Sequence, residues 1–77
     1  MSDRSPRLTA KEIISILNQQ GFILSRSSGS HHIYVNEDKR RVTVSVHAHK
    51  IIHPKILKRI LQDMDMTEEE LKHLLGC

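Results

Sequence analysis

The chain has six histidines among its 77 residues. Five of them fall between positions 31 and 53: an adjacent pair in Gly29-Ser30-His31-His32, and the spaced set His47, His49 and His53. Histidine is the side chain whose unperturbed pKa lies nearest neutral pH, so an imidazole at the mouth of a strand is a candidate for proton transfer. Zinc also accepts imidazole, and His47-x-His49-x3-His53 with His31 or His32 has the donor type for it. However, no carboxylate stands near these histidines in sequence, and the single cysteine, Cys77, is distant. Ser30 beside His31 has the residue types of an activated nucleophile but no acidic group to orient the imidazole. Residue types alone also allow surface histidines on a small binding module.

Charge narrows the choice. From Lys39 to Gln62 there are seven Lys/Arg (Lys39, Arg40, Arg41, Lys50, Lys55, Lys58, Arg59) and no acid, whereas Asp63 to Glu70 carries five acids and no base. With an overall net charge of +3, this asymmetry predicts one face suited to a polyanion. Phe22 and Tyr34 are the only aromatics. That is too few for a base-stacking platform, so contacts to phosphate and sugar are expected instead.

The elements that must position these groups are announced locally. Thr9 with Glu12 forms a capping box, flanked by the staple pair Leu8 and Ile13. Ile13, Ile14 and Leu17 continue at helical spacing to Gly21, which predicts a helix over 10–20. Thr67 with Glu70, and Met66 with Leu71, repeat the signature and predict a short helix over 68–75, with Leu71, Leu74 and Leu75 inward. Its three glutamates suit the positive helix N-terminus, which gives the acidic block a structural purpose. Pro54 opens a third helix of two to three turns, its stripe made of Ile56, Leu57, Ile60 and Leu61. Between these, 22–26, 30–35 and 41–47 are β-prone runs joined by short polar turns. The expected fold is therefore α+β: a three-stranded antiparallel sheet with helices on one face, in the order α-β-β-β-α-α. The open face is expected to carry Arg41, Thr43, Ser45 and His47 from the third strand and, by parity, Ser30, His32 and Tyr34 from the second.

Residues 1–7 read as a flexible N-terminus and 8–76 as one domain. A chain this short has no room for a cofactor cavity beside its core, and no cofactor or metal is expected. One terminal cysteine, no apolar run near the ~18 residues of a membrane span and no secretory signal predict a cytoplasmic protein.

The segments KEIISILNQQGF, GSHHIYV, RRVTVSVHAHKII and KILKRILQDMDMTEEELKHLL, together covering most of Leu8 to Leu75, resemble the HicA-type toxins of bacterial toxin–antitoxin systems. The resemblance implies a compact fold like the double-stranded-RNA-binding domain and a metal-independent endoribonuclease acting on mRNA. It implies a catalytic histidine in the Gly-Ser-His segment, His31 first and His32 second, and a HicB-type antitoxin as partner. Gly29, Ser30, Tyr34, Arg41, Thr43, His47, Lys50, Lys55, Lys58 and Arg59 are the expected RNA contacts. Where relatives often have Val-Pro, this chain has Ser45-Val46-His47, and His53-Pro54 replaces a commoner Pro-Gly type of turn. The alternative is a non-catalytic RNA- or DNA-binding module using the same basic face.

Overall fold

The computed structural model describes residues 7–47 and 50–76. The chain runs α1 (Ala10–Gln19), β1 (Ile23–Ser28), β2 (His31–Val35), β3 (Arg41–Ser45), α2 (Pro54–Met64) and α3 (Glu68–Leu74). The strands form one antiparallel sheet in the order β1-β2-β3. This is the α+β order expected from the sequence. Among the described residues no helix is long and apolar enough to cross a membrane.

Both capping boxes form. The Glu12 N–H donates to the Thr9 hydroxyl at 3.3 Å and the Thr9 N–H donates to the Glu12 carboxylate at 2.9 Å. Around Thr67 and Glu70 the same two bonds measure 3.1 and 3.0 Å. Each box satisfies donors that a helix N-terminus otherwise leaves bare. The staple residues Leu8 and Ile13 are buried, as is Leu71. α2 is capped differently: the Nδ1 of His53 accepts the Lys55 N–H at 3.1 Å.

One cluster gathers Leu8, Ile13 and Leu17 with Phe22, Tyr34, Val42 and Val44 and with Leu57, Ile60, Leu61, Met64 and Leu71. α1 and α2 pack chiefly on β3. Two expected stripes need correction. Ile56 is exposed and Met64 takes its place in the α2 stripe, because burial follows the 57-60-61-64 line that faces β3. In α3 only Leu71 is buried; Leu74 in its last turn and Leu75 at its C-cap stay largely exposed at the edge of the core.

The sheet corrects a third expectation. β2 pairs with β3 so that His32 lies opposite Val44 and Tyr34 opposite Val42. Directly opposed residues share a face, and both valines are fully buried. His32 and Tyr34 therefore face the helices, while His31, Ile33 and Val35 share the open face with Arg41, Thr43 and Ser45. This reverses the parity expected for β2. His-His-Ile-Tyr-Val is apolar on both faces and sets no phase of its own. The Val42/Val44 alternation of its neighbour decides, and Tyr34 supplies the larger apolar area to the core.

The exposure pattern generates a stability test. Leu71→Ala should lower the unfolding free energy by about 2–5 kcal/mol, as buried leucine truncations do, whereas Leu74→Ala should change it by less than about 0.5 kcal/mol. Denaturant midpoints read the difference; equal losses would contradict the placement of α3.

Candidate active site

The two adjacent histidines are positioned by a turn. Gly29 has φ +57°, in the left-handed region where a side chain is disfavoured, and it turns the chain from β1 into β2. Ser30 then accepts the Val46 N–H through its carbonyl at 2.7 Å. That bond ties the head of β2 to the segment leaving β3. His31 is exposed and lies between Ser28 and Ser45 on the open face. His32, one residue on, is half-buried on the opposite face.

His32 opens into a groove of about 500 Å³ between the start of α1 and the sheet. Its walls include Ile14, Leu24, Tyr34 and Val46, and its polar groups include Lys11 and His47. The groove exists because the helices sit mainly over β3, leaving Leu24 half-exposed although it shares the helix-facing side with Tyr34. A bulge between Leu24 and Arg26 then shifts β1, so that Arg26 lies opposite Ile33 on the open face. Burial pushes the Tyr34 phenol above the ordinary tyrosine range by penalising its charged form.

His47 also borders a second, smaller cleft of about 190 Å³, which it shares with Lys50, His53 and the apolar side chains Ile51, Ile52 and Ile56. The Lys50 N–H donates to the His47 carbonyl at 3.2 Å.

The fold thus unites some of the sequence-predicted contacts and separates others. Gly29, Ser30 and His31 stand at the head of β2, while His32, on the other face, borders one groove with His47, and Lys50 shares the neighbouring cleft with His47. Arg41 lies at the far end of β3, four strand steps or roughly 13 Å from Ser45. Thr43 faces the open side. Tyr34 is in the core and on the wall of the groove, not on the open face. Lys55, Lys58 and Arg59 are exposed on α2, so the basic block is divided among several surfaces. Arg40 serves the scaffold: its guanidinium donates to the Asp63 carbonyl at 3.2 Å and lies 4.0 Å from the Asp65 carboxylate at the end of α2.

Lys11 is the groove residue that sequence reading missed. Its place early in a capped helix is legible locally, but its proximity to His32 comes from the packing of α1 on the sheet. Among the described residues no group of three or more His, Cys, Asp or Glu is placed to hold a metal ion. His49, part of the spaced histidine set, lies outside the described residues, as does Cys77.

The family model described as HicA toxin of bacterial toxin–antitoxin matches residues 10–66, well over half of the chain. Comparison with curated proteins returns no match.

The shielded phenol has a measurable consequence. A folded pKa above the unfolded value gives a stability contribution that is complete below about pH 10 and lost as pH rises through the folded value. Wild-type stability should therefore fall more steeply above pH 10 than that of Tyr34→Phe. Parallel pH curves for the two proteins would show that the hydroxyl is not shielded.

Proposed function

The chain belongs to the HicA toxin family of bacterial toxin–antitoxin systems, and from that premise we propose that it is an endoribonuclease that cleaves mRNA without a metal, using a histidine general base. The observation that carries this reading is the head of β2. There a glycine turn, pinned by the bond between Val46 and Ser30, presents one imidazole on each face of the sheet.

A neutral imidazole accepts the proton of a ribose 2′-hydroxyl as that oxygen attacks the adjacent phosphorus, a task worth on the order of 10²–10⁴-fold in rate. His31 is the proposed base. It is the first histidine after Gly-Ser, and its exposure lets a long substrate approach from the open face. A second reading, with His32 as base, draws on one specific observation: His32 is the partly shielded imidazole, beside a lysine and another histidine in the groove. Shielding by packed neighbours restricts a side chain in the way a catalytic group requires. Lys50, Lys55, Lys58 and Arg59 are proposed to hold the RNA backbone, with Arg41 and Thr43 as contacts for strand lying over the open face. The proposed partner is a HicB-type antitoxin that covers the histidines with an acidic or extended polar segment.

Three measurements test the reading. Purified protein should shorten RNA in excess chelator; cleavage abolished by EDTA and restored by zinc or magnesium would exclude a purely imidazole mechanism. His31→Ala should lose growth arrest by roughly 10²–10⁴-fold in cleavage rate while keeping its circular dichroism spectrum. Retained toxicity in His31→Ala together with loss in His32→Ala would transfer the role to His32. Charge reversal of Arg41, Lys55 and Arg59 together should weaken RNA binding and flatten its dependence on salt, since fewer counterions are released.

A further inference from the structure

We propose that His47 is the second proton-transfer group of this site, the general acid that protonates the leaving 5′-oxygen. This rests on the ribonuclease reading above, in its second form with His32 as the base, and deepens it. Cleavage of an RNA phosphodiester by its own 2′-hydroxyl needs two proton transfers at different oxygens. One proton leaves O2′ as the O2′–P bond forms; another must reach O5′ as the P–O5′ bond breaks. The products are a 2′,3′-cyclic phosphate and a 5′-hydroxyl. A single imidazole at the head of β2 removes the first proton but is not at the second oxygen in the same step. Histidine is the side chain for which acid and base forms are both populated near neutral pH, so a second histidine is the natural partner.

The structure sets one beside His32. His47 follows Val46, whose N–H is bonded to the carbonyl of Ser30, the residue immediately before His31. Two residues earlier, Ser45 lies directly opposite His31. The His47 carbonyl accepts the Lys50 N–H, and His47 lines the same groove as His32 and Lys11. His47 is itself exposed, so its side chain is free to meet substrate. With His32 as the base, two imidazoles and an ammonium border one groove and make the set that this transesterification uses: a base, an acid, and a fixed cation to offset the charge developing on the phosphoryl oxygens; His31, on the opposite face, stands outside it. After turnover the base carries the extra proton and His47 lacks one, and exchange with water restores both. His53 is not a substitute acid, because its Nδ1 is engaged as the cap of α2.

The test uses a dinucleotide substrate in two forms, one ordinary and one with sulfur replacing the bridging 5′-oxygen. Thiolate is a good leaving group and needs no acid. His47→Ala should lose about 10²–10⁴-fold on the ordinary substrate and recover to near the wild-type rate on the sulfur substrate. His32→Ala, which lacks the base of this pair, should stay slow on both; a His31→Ala variant slow on both with His32→Ala near the wild-type rate would put the base on the opposite face and overturn the pairing. Equal loss by His47→Ala on both substrates would overturn the acid role and leave His47 as a binding group; an unchanged rate on the ordinary substrate would remove it from the site altogether. If the wild-type protein cleaves neither substrate nor a longer RNA, the ribonuclease reading itself fails, which is a separate outcome. Amide chemical shifts of the variant, compared with wild type, confirm that the fold is retained.

Discussion

The register between β2 and β3 is the constraint on which the rest of the molecule depends. Val42 and Val44 are the fully buried residues of β3, and they stand opposite Tyr34 and His32. A slip of one residue would exchange every side chain between the two faces. It would put Tyr34 in water and Ile33 and Val35 against α1 and α2. The same register that places the tyrosine in the core makes the two neighbouring histidines diverge, one to each face. The divergence of the two imidazoles at the head of β2 is thus a by-product of how the sheet buries its apolar surface.

Polar groups divide into those committed to the scaffold and those left for a ligand. Thr9, Glu12, Thr67 and Glu70 close the two capping boxes. Arg40 reaches the last turn of α2 and the carboxylate beyond it, although both partners of that ion pair are exposed and the pair adds little stability. His53 caps the other end of α2, so the two termini of the helix under β3 are each held by a residue from the basic stretch. Among the described residues, Lys50, Lys55, Lys58 and Arg59 are exposed and show no side-chain hydrogen bond to the scaffold. Exposed charge of this kind contributes to association through counterion release more than to folding.

Local chemistry was legible wherever a short run of residues determines its own conformation. The capping boxes at Thr9 and Thr67, the proline at the start of α2 and the valine alternation of β3 each rest on contacts within about four residues, so the element order followed from them and the structure has it. The glycine turn before His31 belongs to the same category, since a left-handed backbone is a property of one residue and its neighbours. The basic block was also visible as composition, but its distribution was not: Arg41, Arg40, Lys50 and the α2 cations end on different surfaces because a strand, a loop and a helix point them apart.

Three features were decided only by tertiary structure. The phase of β2 could not be read from His-His-Ile-Tyr-Val, which offers apolar residues to both faces; pairing with β3 selected the one that buries the larger ring. Ile56, Leu74 and Leu75 have the types and spacing of core residues, yet a stripe is buried only where another element covers it, and these stay 47%, 42% and 36% exposed. The meeting of Lys11, His32 and His47 in one groove joins residues from a helix, a strand and a loop that are far apart in sequence. Periodicity carries information along one element, whereas a site made of three elements is set by the packing free energy of the whole core, which no single segment encodes.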